Sequence, residues 1–277
     1  MKINLWGVRG SLQTSGPDTK KYGSRTSCTL VSEQDELVVL DAGSGIQQYS
    51  SVKNDSKRVD VLLTHLHMDH IQGLGFFGPF FEPGREVHIW GPAAATQSLR
   101  SRLSRYLSPP LFPVLLRDLL CRLTFHEIGN SEFEIGHFKI RSEYVIHPGP
   151  TVGYRVAGNN SVFTYIPDHE PALGREGIIE NTKWISGYNI AAGCDLLYHD
   201  GQYMQAEYQH KRGWGHSSME DALRFASLCE ARQLIIAHHD PFHSDEQLNE
   251  MFLNLKFDNR YPIKFEMAEE GMEFNLP

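Results

Sequence analysis

The run Thr64-His65-Leu66-His67-Met68-Asp69-His70 decides how this chain is read. Three imidazoles and one carboxylate stand within six residues, a density that packing does not require. Imidazole together with carboxylate suits zinc, and also iron or manganese. His65 and His67 can face one ion while Asp69 and His70 turn toward a second. Around zinc, the ligand nitrogens are expected about 2.0–2.1 Å from the metal. The run follows Val61-Leu62-Leu63, an apolar segment that reads as a buried strand.

Working outward, other polar residues also stand where predicted strands end. His147 lies in Val145-Ile146-His147-Pro148-Gly149. Asp168 follows Phe163-Thr164-Tyr165-Ile166, Asp200 follows Leu196-Leu197-Tyr198, and His238 follows Leu234-Ile235-Ile236-Ala237. Strands are also predicted at 3–6, 27–31, 37–41, 59–64, 87–90, 139–145 and 151–156, each short and bounded by turn residues. One helix is predicted from Ser217-Ser218-Met219-Glu220, read as a capping box. A second is predicted from Ser244, with Gln247 three residues on and Leu248, Met251 and Phe252 turned inward. A third is predicted over 93–106, before Ser108-Pro109-Pro110. Strands interleaved with helices predict an α/β fold of sheets covered by helices. No linker, charge block or repeat divides the chain, so one domain over residues 1–277 is expected.

HxHxDH followed in order by His147, Asp168 and His238 resembles the metallo-β-lactamase superfamily. Gly7-Val8-Arg9-Gly10-Ser11, Tyr22-Gly23-Ser24-Arg25-Thr26-Ser27-Cys28 and Asp41-Ala42-Gly43-Ser44-Gly45 look like the opening of its phosphodiesterase and ribonuclease Z-like branch. The resemblance implies a four-layer αββα metallo-β-lactamase sandwich. It implies two divalent metal ions, zinc first, with manganese or iron as alternatives. His65, His67 and His147 would hold one ion, and Asp69, His70 and His238 the other, with Asp168 bridging. His239 competes with His238 for its position. Gly43 and Gly45 are expected to permit a tight turn, and Asp41 to be structural or to support a ligand. Ser11 and Thr26 are read as turn residues or substrate contacts.

A metal pair of this kind can generate hydroxide at neutral pH and stabilise in-line displacement at phosphorus. The expected reaction is attack of a metal-bridging hydroxide on a phosphodiester. His216, in Gly213-Trp214-Gly215-His216-Ser217-Ser218, is the candidate donor of a proton to the leaving group, and Asp200 the candidate to orient it. His216, Asp200 and Asp69 form the expected catalytic set. The pair resembles a ribonuclease Z-like arrangement that often carries Glu where Asp200 stands. Asp at position 168, where lactam hydrolases of the superfamily would carry Cys, argues against lactams; thioester hydrolases share much of the ligand set, and the His216–Asp200 pair with the N-terminal segment favours phosphodiesters.

The chain has 277 residues and a net charge of −8. That balance weighs against tight binding to long nucleic acid, which needs clustered cations. Only Pro148 to Pro167 separate His147 from Asp168, too few for the long basic arm of a tRNA-processing enzyme. A small phosphodiester such as a cyclic nucleotide is therefore the expected substrate. The alternatives are a ribonuclease Z-like endoribonuclease and a metal-bound nucleotide sensor without turnover. Phe76-Phe77-Gly78-Pro79-Phe80-Phe81 reads either as the wall of a base pocket or as core or a homodimer contact. Tyr203, Tyr208 and Trp214 read as base-stacking groups or core. The four cysteines form no CxxC pair and read as small core residues. His88, His126, His137 and His210 read as structural or surface residues, His169 and His243 as neighbours of ligands. No apolar run reaches membrane-spanning length, and the N-terminus reads as a strand rather than a signal peptide. The expected location is cytoplasmic.

Overall fold

The computed structural model describes residues 1–53, 56–175, 177–258 and 260–277. Among these residues, two seven-stranded sheets carry the fold. The first contains β1 (Lys2–Gly7), β2 (Cys28–Glu33), β3 (Glu36–Leu40), β4 (Arg58–Leu62), β5 (Glu86–Pro92), β6 (Arg122–Ile128) and β14 (Glu273–Asn275), in the order β14-β1-β2-β3-β4-β5-β6. The second contains β7 (Ser131–Ile135), β8 (Phe138–Tyr144), β9 (Val152–Ala157), β10 (Val162–Ile166), β11 (Leu196–Asp200), β12 (Gln233–Ala237) and β13 (Lys264–Met267), in sequence order. Both are mixed. β3 to β6 run parallel, as do β10 to β13, while the remaining pairs are antiparallel. The parallel strands are the near-continuous apolar runs, because such strands are covered on both faces.

Three apolar clusters divide the layers. Ile3, Val38, Leu40, Leu62, Tyr154, Phe163, Tyr198 and Ile235 fill the space between the sheets. A second cluster lies between the second sheet and the helices α3 (Tyr188–Ala191), α5 (Met219–Leu228) and α6 (Asp245–Asp258). A third lies between the first sheet and the segment carrying α1 (Met68–Ile71), α2 (Leu99–Ser104) and the 3-10 turn Ser44–Ser51. The order helix, sheet, sheet, helix is the αββα sandwich. A short helix α4 (Gln205–Tyr208) precedes α5.

Local signals differ from expectation in a few places. Ser218, not Ser217, caps α5, accepting from Asp221 N at 3.0 Å. The Ser217 hydroxyl donates instead to the His169 carbonyl at 2.5 Å. The Ser244–Gln247 box is reciprocal, with bonds of 2.8 and 3.2 Å. The helix expected over 93–106 is confined to Leu99–Ser104. β6, β7, β13 and β14 are additional to the strands expected. β6 loses its alternation at His126-Glu127, whereas β7 alternates regularly but is only five residues long.

Candidate metal centre

β4, β10, β11 and β12 end on the same rim of the sandwich. The chain leaves each of them into residues 65–70, 168–170, 200–203 and 238–243. Loops at the carboxyl ends of parallel strands are held by the sheet yet open outward. His65, His67 and His147 come together in one group, and Asp69, His70, Asp168 and His238 in a second. Within each group, one ligand-type atom per residue lies within 4.8 Å of the others. Asp168 stands between them with its two oxygens divided. Oδ2 lies 3.7 Å from both His65 Nε2 and His147 Nε2. Oδ1 lies 3.0 Å from His70 Nε2 and 3.4 Å from His238 Nδ1. Asp69 Oδ2 lies 3.3 Å from His70 Nε2 and 3.7 Å from His238 Nε2.

The polar atoms at the middle of this cluster have no hydrogen-bond partner among the described residues. They include His65 Nε2, His70 Nε2, His238 Nε2 and both Asp168 oxygens, all buried. Buried polar groups are normally satisfied, so a convergent unsatisfied set calls for an ion. The donor chemistry, imidazole and carboxylate, fits two divalent transition-metal ions.

The far sides of the rings are tied to the protein, which aims the inner nitrogens. His147 Nδ1 donates to the Gly215 carbonyl at 2.8 Å. His70 Nδ1 donates to Asp41 Oδ2 at 2.8 Å. Asp41 also accepts from Thr64 N at 2.7 Å and from the Thr64 hydroxyl. Such outer partners fix the tautomer and ring orientation of ligating histidines. Ser11 N donates to Asp69 Oδ2 at 2.7 Å. Ser11, Asp41 and His238 all adopt left-handed backbone, at φ 56, 57 and 60°. Non-glycine residues held there cost roughly 1–3 kcal/mol each and persist where the surroundings over-determine them.

Electrostatics separate the groups. Burial pushes the His65 pKa well down and that of His147 to about 4, keeping both rings neutral, the form that binds metal. Burial opposes charge on His70 too, but Asp168, Asp69 and Asp41 outweigh it and raise its pKa well above the usual value. Those three carboxylates make the second group a strongly cation-attracting site.

His216 lies beside Asp168 and His147, and these three form a further close group. Its Nδ1 is 2.8 Å from Asp200 Oδ2. Burial works against its protonation, but Asp200 and then Asp168 and Asp69 raise its pKa to about 9. Asp200 Oδ2 also accepts from His169 N at 3.0 Å, and Oδ1 from Gln202 N at 3.0 Å. The one-methylene shortfall of Asp against Glu is absorbed by this placement.

His239 stays out of the cluster; its Nε2 donates to the Ala268 carbonyl at 2.8 Å, and it packs on Tyr22. His169 binds His199 Nε2 at 3.0 Å and Ser186 Oγ at 2.8 Å, while His243 pairs with Glu207. His88 and His126 bond each other at 2.8 Å, and His137 bonds Glu33. Tyr203 and Tyr208 are buried, whereas Trp214 is exposed with Lys211 above its ring. Phe77 and Phe80 are core; Phe76 and Phe81 are exposed. Gly43 serves close approach rather than a turn conformation: a Cβ there would lie 2.2 Å from the Asp69 carbonyl oxygen. Thr26 Oγ1 accepts from Ser44 N and Gln72 Nε2, which occupies it structurally.

One residue escaped the sequence reading. Glu170 is buried and accepts from Gly174 N, the Tyr208 hydroxyl, Gly213 N and Gly215 N, at 2.7–2.9 Å. It therefore anchors the loop whose Gly215 carbonyl holds His147. Gly215 has φ 91°, and a Cβ there would lie 2.6 Å from His147 Nδ1. The only signal was its place in Asp168-His169-Glu170, directly after a strand.

Among the described residues, no helix is long and apolar enough to cross a membrane. The β-lactamase superfamily domain model matches residues 37–239, which include every residue of both groups. A ribonuclease Z of Porphyromonas gingivalis is 27% identical over 267 residues, covering 80% of this chain and 85% of that protein. The short form of human tRNase Z has the same fold, with a TM-score of 0.71, 19% identity and full coverage of both chains. The metallo-β-lactamase fold protein YhfI of Bacillus subtilis also gives a TM-score of 0.71, at 17% identity, covering 99% of this chain and 98% of its own. With the domain matched across most of its length and the two histidine–aspartate groups assembled at its strand ends, the chain belongs to the metallo-β-lactamase superfamily of hydrolases, in the ribonuclease Z-like branch.

Proposed function

We propose that the chain is a dinuclear metal-dependent phosphodiesterase that cleaves RNA, as a ribonuclease Z-like endonuclease. The observation that carries the phosphodiesterase reading is the 2.8 Å contact of His216 Nδ1 with Asp200 Oδ2, set beside Asp168. The similarity to ribonucleases Z over most of their length supports RNA as the substrate. In this reading His65, His67 and His147 bind one ion, Asp69, His70 and His238 the other, and Asp168 both. Two divalent ions, zinc first and manganese or iron as alternatives, supply an activated water and neutralise charge at phosphorus. Asp200 fixes the His216 ring so that Nε2 can give a proton to the leaving alkoxide oxygen. Asp69 is kept an unprotonated acceptor by Ser11 N and by His70, against the cost of burial.

A second reading, hydrolysis of a small phosphodiester such as a cyclic nucleotide, is favoured by one specific feature. Between His147 and Asp168 the chain is taken up by β9, β10 and the turn joining them, with no arm for a tRNA body. The test offers metal-loaded protein a precursor tRNA, cyclic mononucleotides, cyclic dinucleotides, a chromogenic diester and a thioester. Precursor tRNA cleavage supports the first reading, and cyclic nucleotide turnover without RNA cleavage the second. Thioester turnover alone rejects both. Tight nucleotide binding with no turnover under any metal would return the sensor alternative. Replacing His216 by Ala is expected to lower kcat about 10²- to 10⁴-fold with metal content retained. A variant that keeps full activity removes His216 from the reaction.

A further inference from the structure

A cavity of about 380 Å³ opens beside the first histidine group. His65 and His67 form part of its wall, and His67 is exposed toward it. Arg102, at the end of α2, and Arg105, which follows it, form another part. Met68, Tyr106 and Leu111 supply the apolar lining, and Met68 and Leu111 are 52% and 69% exposed. Large apolar side chains left in solvent beside a reactive centre mark a contact surface. Tyr106 is fixed, because its hydroxyl donates to the Gln72 carbonyl at 2.6 Å.

The cations are the informative part. Arg105 is exposed and has no ion-pair or hydrogen-bond partner for its side chain among the described residues. Arg102 is anchored through Nη2 on the Pro92 carbonyl, while its buried Nε lacks a partner. In a chain of net charge −8, two guanidinium groups lining one cavity without a carboxylate in that wall point to an anionic ligand. The planar guanidinium fork matches phosphate oxygens in pairs. The volume lies at the low end for small-molecule sites and takes one nucleoside-sized group, not a folded nucleic acid.

We infer that this cavity seats one nucleoside of the substrate, and that Arg105, with Arg102, binds the phosphate next to the scissile one. The inference rests on the phosphodiesterase reading and adds a requirement for a second phosphate. An RNA strand meets that requirement, as does a cyclic dinucleotide; a cyclic mononucleotide does not.

The test uses full-length, metal-loaded protein and two readouts. In equilibrium binding, uridine 3′,5′-bisphosphate is expected to bind at least about tenfold tighter than uridine 5′-monophosphate. Arg105→Ala should reduce that ratio about tenfold, and Arg105→Lys should restore part of it. In turnover, the p-nitrophenyl ester of uridine 5′-phosphate bearing a 3′-phosphate should exceed the same ester without it in kcat/KM. Equal binding of the two ligands by the wild type, or a ratio untouched by Arg105→Ala, overturns the inference. Methyl p-nitrophenyl phosphate separates the two levels. If it is hydrolysed while the bisphosphate has no advantage, the cavity assignment alone fails. If the bisphosphate is preferred but no diester is hydrolysed with any metal, the phosphodiesterase reading fails, and of the inference only the nucleoside and phosphate seat at Arg105 survives.

Discussion

His65, His67 and His147 bring only imidazoles to their side of the centre, whereas Asp69, His70, Asp168 and His238 bring two carboxylates, backed by a third from Asp41. The first group faces a cavity, has an exposed member, and is steadied by a backbone carbonyl on a glycine loop. The second is buried throughout and is steadied by a carboxylate and a backbone N–H. An ion held near solvent by three neutral imidazoles and only a share of Asp168 would keep more charge to offer a substrate. An ion held by carboxylates in a buried site is bound more firmly and is less exposed. The contrast predicts that the first site exchanges its ion more readily and meets the substrate, while the second works as an anchor.

Asp168 is where the two halves meet, so its loss should have the largest effect. Asp168→Ala is expected to reduce bound metal from about two ions per chain to less than one, and activity by at least about 10³-fold. Elemental analysis of protein purified without added metal is the check. Retention of both ions would falsify the shared-carboxylate arrangement.

Two milder substitutions should separate the halves. Asp41→Asn weakens the acceptor for His70 and should lower affinity at the second site about 10- to 100-fold. Glu170→Gln puts an amide where Gly213 N and Gly215 N both donate, which loosens the Gly215 carbonyl on His147. It should lower affinity at the first site by a similar about 10- to 100-fold factor. Competition with a chromogenic chelator resolves two affinities in each variant. If both variants weaken both sites alike, the halves are not independent and the contrast collapses.

The smallest effect is a control outside the centre. Asp221, in the first turn of α5, has its pKa raised to about 6 by burial, and its Oδ2 lacks a partner. A carboxyl raised above its unfolded value favours the fold when protonated. That contribution is complete below about pH 4 and is lost as pH rises through about 6. Asp221→Asn should therefore gain roughly 1–3 kcal/mol in stability at pH 8 and nothing at pH 4, with metal content unchanged. Denaturant titrations at the two pH values measure this; a gain of equal size at both would rule out the protonation cause.

Some of this organisation could be read without coordinates, for local reasons. Apolar runs such as Val61-Leu62-Leu63 and Leu234-Ile235-Ile236 mark strands that must be buried on both faces. Polar residues directly after them then fall on one rim. The Ser244–Gln247 box caps α6 through neighbours three residues apart. Strands β6 and β7 were harder, because β6 breaks its alternation at His126-Glu127 and β7, though it alternates, is only five residues long. Gly136 at φ 56° in the turn between β7 and β8 is the signal that would have found that hairpin.

Residue type and order along the chain, by themselves, determined the α/β class and the dense histidine–aspartate run, because these depend on near neighbours and on hydrophobic period; the wider ligand set was implied by the resemblance to the superfamily. Tertiary structure decided how Asp168, already implied as the shared carboxylate, divides its oxygens between the two groups, that His239 turns away to the Ala268 carbonyl, and that Asp41 and Glu170 are tied to His70 and to the Gly215 loop. It also decided that Arg102 and Arg105 line a cavity at His67. Each of these depends on which distant backbone groups and strand ends meet when the sheets close on one another, and no local pattern carries that information.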